Sequence, residues 1–263
     1  MTGQDILQIE RTGAVATVWL NRPQVHNAFD ERLVAALTVA VEEMATDAGV
    51  RVLVLGGRGK SFCAGADLDW MRRMAGFSRA DNLRDATALA RLLQALATCP
   101  KPTVARVHGA ALAGGSGLVA ACDIAIATPQ ASFGTTEVRL GLVPATIGPY
   151  LVRAIGTRAA QRYFLTGERF GADEAQRLGL VHEVVAAEAL DARIGQLAMA
   201  LLAAAPGALA QCKRLMVDVA GRPIDAALAA DTAARIAEAR AGDEAREGIA
   251  AFFAKRSPHW EVP

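Results

Sequence analysis

No stretch of the 263-residue sequence approaches the roughly eighteen uninterrupted apolar residues that a membrane-crossing helix needs, so no membrane partner is expected. The amino-terminal MTGQDILQIERTG carries Asp5, Glu10 and Arg11 where a secretory signal would be apolar, and the expected location is cytoplasmic. Aromatic residues are scarce, at 5%, which weakens any reading as a platform for stacked bases. Charge of one sign is lacking as well: 28 Lys and Arg meet 27 Asp and Glu, for a net charge of +1. That balance argues against nucleic acid as a partner. The four cysteines, Cys63, Cys99, Cys122 and Cys212, are widely spaced, with no C-x-x-C pair or neighbouring His, so no metal is expected. They read as buried thiols. Cys63 stands in a Gly-rich loop and is kept as a minor candidate nucleophile.

Hydrophobic residues make up 52% of the chain, enough for one substantial core, in one large domain or a domain with an appendage. ILQIERTGAVATVWLNRP reads as two strands around a turn at Thr12-Gly13, ended by Pro23. DERLVAALTVAVEEMATDAGV reads as a helix capped by Asp30, with Leu33, Val34, Leu37, Val41 and Met44 on one face and Gly49 closing it. VRVLVLGG is apolar throughout, as a parallel strand buried on both faces would be. A second helix over 80–98, a strand TVARVHG, a short apolar helix and a strand DIAIAT continue the alternation, which indicates an α/β fold with mostly parallel pairing. From about Glu188 the sequence turns to Ala, Leu, Arg and Glu, so the tail is expected to be helical. The division drawn is 1–195 for the α/β core and 196–263 for the helical region.

Two Gly-rich loops invite chemistry. In GGRGKSFCAGADLDW, Gly59-Lys60-Ser61 imitates a phosphate loop, but Val54 stands where that motif requires its first glycine. Lys60 is then a solvated charge. In HGAALAGGSGLVAACD, Gly115 to Ala120 fits the dinucleotide pattern G-x-G-x-x-A. The acidic residue such a site needs about twenty positions on is wrongly placed: Asp123 comes too soon, and Glu137 lacks end-of-strand character. Two readings remain for the glycines: tight packing, or a pair of loops that each aim a main-chain N–H into one crevice as an oxyanion hole. Glu137, in SFGTTEVRLGLVPATIGPY ahead of a helix expected to begin at Pro144, is either a solvated or capping residue or a partly buried acid–base group facing that hole.

LNRPQVHNAFD, FCAGADL, VHGAALAGGSGLVAACDIAIAT, FGTTEVRLGLVP and LTGERFGADEAQRLGLVHEVV, in that order and at these spacings, closely resemble the enoyl-CoA hydratase/isomerase (crotonase) family over nearly the whole chain. The resemblance implies a ClpP-like spiral of ββα units, a carboxy-terminal helical region that builds homotrimers or dimers of trimers, and an acyl-CoA thioester as substrate, with no separate cofactor. It assigns the oxyanion donors to the backbone of Ala66 and Gly114, and the proton-transfer role to Glu137. It places Ala64, Gly65, Asp67, Leu68, Gly115 and Gly117 against the substrate, Ala64 and nearby backbone on the adenine part of CoA. Phe253 and Lys255 match tail positions that touch CoA from a neighbouring subunit.

Gly117 departs from the pattern, since hydratases with two catalytic glutamates carry the first one there. The expected function is hydration of a 2-enoyl-CoA by Glu137 alone, with the segment from Glu137 to Phe170 most similar to bacterial hydratases of branched or glutaconyl-type esters such as methylglutaconyl-CoA. The alternatives are a Δ3,Δ2-enoyl-CoA isomerase, which needs one carboxylate, and a catalytically silent acyl-CoA binder. The segment 70–84, with Met71, Met74 and Phe77, is read either as a wall of the acyl tunnel or as a core-packing helix. His26, His108, His182 and His259 receive no catalytic role.

Overall fold

From residue 52 to residue 134 the strands come in pairs, a longer one and a three-residue one, and each pair divides between two sheets. A computed structural model describes residues 6–261; Asp5, one of the charges noted above, lies outside them. The chain opens with a hairpin of β1 (Leu7–Thr12) and β2 (Val15–Leu20), turning at Gly13 with φ +57°. α1 (Glu31–Thr46) follows, capped by the Asp30 carboxylate, which accepts the Leu33 N–H. Then come β3 (Val52–Gly57), β4 (Ser61–Cys63), α2 (Leu68–Met74) and α3 (Arg79–Thr98). The unit repeats as β5 (Thr103–Val107), β6 (Ala110–Leu112) and α4 (Gly114–Ala121), and again as β7 (Ile124–Ala127), β8 (Ser132–Gly134) and α5 (Gly148–Thr166). β9 (Arg169–Gly171), α6 (Ala172–Leu178) and β10 (Glu183–Val184) complete the sheets.

The larger sheet has the order β1-β2-β3-β5-β7-β10 and the smaller β4-β6-β8-β9. Apart from the hairpin β1–β2 and the edge pair β8–β9, the pairings are parallel. Each ββα unit therefore adds one strand to each sheet before its helix returns the chain, which is the expected spiral.

β3 shows why its sequence is apolar on both faces. Leu53 and Leu55 join the main core with Leu33, Leu37, Leu92, Leu93 and Leu96 from α1 and α3. Val52 and Val54 face the other way, onto Leu190, Ile194 and Ala198 of α7 (Leu190–Leu202). The division at 195/196 falls inside α7. Beyond it, α8 (Pro206–Val219) has no fully buried residue, and α9 (Ala226–Ala241) and α10 (Asp243–Ala254) bury only Leu228 and Ala251. Lys213 of α8 holds these helices to the core by reaching the Asp123 carboxylate and the Lys101 carbonyl.

Pro144 does not start a helix. α5 begins at Gly148, with Pro149 in its first turn, and Pro144 contributes only its carbonyl to the Gly148 N–H. A proline suits a helix start because its N–H is dispensable there, and the second proline takes that place.

Candidate active site

Because β4, β6 and β8 are adjacent and parallel, the loops after them emerge together. Cys63 pairs with Ala111 and Leu112 with Gly134, so Ala64–Leu68, Ala113–Gly117 and Thr135–Glu137 leave one end of the small sheet. The first two loops touch: a Cβ on Gly65 would lie 3.3 Å from Ala113 Cβ, and one on Gly115 only 2.2 Å from the Cys63 carbonyl oxygen. Ser116 laces the second loop to the third, its buried Oγ donating to Ala111 O at 2.6 Å and accepting the Gly134 N–H at 3.2 Å.

The direction of the two proposed donors follows from the planar trans peptide, in which C=O and N–H point opposite ways. Phe29 N–H donates to Gly65 O at 2.7 Å and Asp67 N–H donates to Phe29 O at 2.7 Å, a parallel bridge that brackets Ala66. The carbonyl of the Gly65–Ala66 peptide is thus turned to Phe29, and the Ala66 N–H points away from it, with no acceptor among the described residues. On the second loop, Ala113 O accepts the Gly117 N–H at 3.1 Å within the first turn of α4, so the Gly114 N–H faces out of the helix start. Ala113 holds that peptide by sitting at φ +48°, ψ −117°. For a non-glycine residue such backbone costs on the order of 1–3 kcal/mol and persists only where its surroundings impose it.

Glu137 opens a short 3₁₀ turn over Glu137–Leu140, closed by Gly141 at φ +72°. It is half-buried, and its Oε2 is fully enclosed without a hydrogen-bond partner among the described residues. Burial pushes its carboxyl above the usual carboxylate range, opposed only by a hydrogen bond from its own backbone. An unpartnered carboxylate with a raised pKa, on a loop that leaves the same end of the small sheet as the two N–H donors, is suited to exchanging a proton with a carbon next to a polarised carbonyl.

Gly117, one turn into α4, has no open space beside it. A Cβ there would lie 2.3 Å from Ile147 Cγ2 and 2.8 Å from Ile147 Cβ. Ile147, 1% exposed, fills the region a side chain at 117 would need.

The remaining predicted residues divide. Asp67 is buried and caps α2, accepting the N–H groups of Asp69 and Trp70; burial alone would raise its carboxyl, but those two bonds and the Arg22 guanidinium hold it low. Ala64 is tied to the chain before it by donating to His26 O, and Leu68 is exposed. In the segment 70–84, Trp70 is buried while Met71, Met74 and Phe77 are half-buried. Phe253 and Lys255 lie at the end of α10; Phe253 is exposed beside Phe252, and Lys255 is the left-handed cap.

Cys63 is not a nucleophile: complete burial pushes its thiol up to about 12, leaving almost no thiolate at neutral pH. The expectation of buried thiols holds for Cys63 and Cys99 but not for Cys212, which is exposed on α8. His26 meets Ser61 Oγ, His108 meets Gly59 O and His182 Nδ1 accepts the Ala125 N–H, all structural contacts. Four residues that shape the site were not singled out from sequence: Arg22, Phe29, Ala113 and Ile147. Arg22 and Phe29 carried a signal as members of the LNRPQVHNAFD motif, and Ala113 as a member of VHGAALAGGSGLVAACDIAIAT.

Residues 10–263 match the family described as enoyl-CoA hydratase/isomerase. The fold superposes on a crystal structure of an enoyl-CoA hydratase from Shewanella pealeana with a TM-score of 0.94, at 43% identity over 97% of this chain and 96% of that one. An enoyl-CoA hydratase from Mycobacterium smegmatis gives a TM-score of 0.91 at 39% identity, covering 98% of this chain and 100% of that one. The 2,3-dehydroadipyl-CoA hydratase of Escherichia coli is 33% identical, over 97% of this chain and 98% of that protein.

Proposed function

The chain belongs to the enoyl-CoA hydratase/isomerase family, and from that membership we propose that it hydrates a 2-enoyl-CoA thioester with Glu137 as its one catalytic carboxylate. The thioester oxygen accepts the Ala66 and Gly114 N–H groups, which draws electron density from the 2,3 double bond and stabilises the enolate that forms. Water adds its hydroxyl to C3 while Glu137 takes the water proton, and the same carboxyl then returns that proton to C2. Both parts of one water molecule reach one face of the substrate, and the carboxylate is regenerated. The observation that carries this reading is the enclosed, unpartnered Oε2 of Glu137 at the strand ends that present the two donors.

The substrate is a branched or glutaconyl-type CoA ester, a reading supported by the sequence from Glu137 to Phe170. Ala64 and its neighbouring backbone hold the adenine part of CoA, with Gly65, Asp67, Leu68, Gly115 and Gly117 completing the substrate wall. The chain works as a homotrimer or a dimer of trimers, in which Phe253 and Lys255 reach CoA bound by a neighbour. Ile224, Met216, Ile236, Ile249 and Phe252, apolar yet exposed on the carboxy-terminal helices and their connections, support such an assembly.

A second reading, Δ3,Δ2-enoyl-CoA isomerisation, is favoured by Ile147 closing the space beside Gly117, since one carboxylate suffices to move a proton between C4 and C2. The two separate by substrate. Loss of the conjugated-thioester absorbance of a 2-enoyl-CoA in water, with a 3-hydroxyacyl product, supports hydration. Gain of that absorbance from a 3-enoyl-CoA, with no hydroxyacyl product, replaces it by isomerisation. Acyl-CoA binding with neither reaction would make the chain a silent binder. Glu137→Gln is expected to lower turnover at least about a hundredfold, and unchanged turnover would remove Glu137 from the reaction.

A further inference from the structure

One enclosed side chain, Arg22, clasps the segments on either side of the Phe29–Ala66 bridge. Arg22 lies where three segments meet, with its side chain only 14% exposed, and the carboxylates it faces are as enclosed, at 13% for Asp30 and 11% for Asp67. Its Nη1 donates to Ala28 O at 2.6 Å. Its Nη2 lies 3.1 Å from Asp30 Oδ2 and donates to Asp67 Oδ2 at 3.0 Å. Ala28 and Asp30 flank Phe29, and Asp67 follows Ala66, so one guanidinium holds both arms of the Phe29–Ala66 bridge. The backbone of Arg22 is fixed in turn: its N–H donates to Asn27 Oδ1 and its carbonyl accepts the Asn27 N–H, while Asn27, fully buried at φ +55°, donates from Nδ2 to Arg58 O and Ser61 O. The two carboxylates also have separate duties, since Asp30 caps α1 and Asp67 caps α2. The guanidinium therefore locks two helix starts and the intervening backbone pair into one body.

We propose that Arg22 is a positioning residue for the oxyanion hole, setting the direction of the Ala66 N–H through the Phe29–Ala66 bridge. The proposal rests on Ala66 and Gly114 being the donors, and it holds for hydration and isomerisation alike. The planar fork is what matters: Lys keeps the charge but cannot serve Ala28 O, Asp30 and Asp67 at once. A donor moved by about 1 Å loses up to roughly a hundredfold in rate even when the substrate still binds.

The test uses two non-reacting probes on the full-length protein. Acetoacetyl-CoA reports the hole, because its enolate absorbs in the near ultraviolet and is favoured only where donors meet the charged oxygen. Butanoyl-CoA reports binding without charge development. For Arg22→Lys and Arg22→Gln the expected result is a weakened enolate band and a kcat about ten- to a hundredfold lower, with butanoyl-CoA affinity unchanged. Arg22→Lys decides the matter if Arg22→Gln does not fold. A full enolate band and full kcat in Arg22→Lys would overturn the proposal, and so would a fall in butanoyl-CoA affinity and melting temperature that matches the fall in kcat. No enolate band in the unsubstituted protein would instead overturn the assignment of the donors themselves.

Discussion

Placing a single methyl group on Gly117 tests how tightly the floor of the site is built. An alanine Cβ would meet Ile147 Cγ2 at 2.3 Å and Ile147 Cβ at 2.8 Å, whereas carbon atoms pack at about 3.5–4.0 Å. Ile147 is buried and β-branched, so its χ1 is stiff and its methyl cannot swing aside. Two effects oppose each other. Alanine in place of glycine inside a helix is worth about 1 kcal/mol. Overpacking a close-packed core costs about 1–3 kcal/mol. The clash is with a rigid branch rather than a flexible tip, so Gly117→Ala is expected to destabilise by up to about 2 kcal/mol, read from the urea midpoint at constant slope. The neighbour decides the rest of the experiment. Ile147→Val keeps both Cγ atoms and leaves the penalty as it was, while Ile147→Ala removes Cγ2 and shrinks it, at its own cavity cost of about 2–5 kcal/mol. Gly117→Glu, which adds a buried carboxylate to the same clash, should not raise hydration. Stability equal to the unsubstituted protein in Gly117→Ala, or a penalty that is the same in the Ile147→Ala background, would refute the reasoning.

Glu137→Gln should lower turnover and yet raise stability at neutral pH. Because burial raises the folded-state pKa of Glu137 above its ordinary 4.5, the ionised form weakens the fold as pH rises through the folded value, and the variant escapes that loss. Melting temperatures of the two proteins should therefore converge as pH falls below the ordinary carboxylate pKa; a gap that persists in acid would contradict the burial of this charge. Activity should fall on the acid side with an apparent pKa above the usual carboxylate range, read from the pH profile of kcat/KM. Cys63, with its thiol raised to about 12, should resist a thiol-specific reagent at pH 8 in the native protein and react after unfolding, as peptide mapping would show. Native labelling of Cys63 would mean that its loop opens.

Residue order alone carried the architecture as far as local pattern reaches. The apolar VLVLGG of β3, the apolar face of α1, the extent of α3 and the motifs around Ala66, Gly114 and Glu137 were all legible, because burial on both faces, helical spacing and motif order leave marks within a short window. The three-residue strands β4 and β6 were not separately legible, being too short for any periodicity, although their carboxyl ends lead into two loops of the candidate site. Pro144 shows the same limit, since two prolines compete for one helix start and only the fold decides between them.

Other properties belong to the tertiary structure because they are relations between residues distant in the chain. Gly117 was recognisable from sequence as the place of a missing carboxylate, but Ile147, thirty positions on, is what occupies the neighbouring space. Arg22 was one charge in a motif until the fold set Asp30 and Asp67 around it. The free Ala66 N–H depends on which way a peptide turns, and that is settled by its pairing with Phe29. Side-chain chemistry is written in the residue order, whereas enclosure, direction and available space are set by whatever the fold brings alongside.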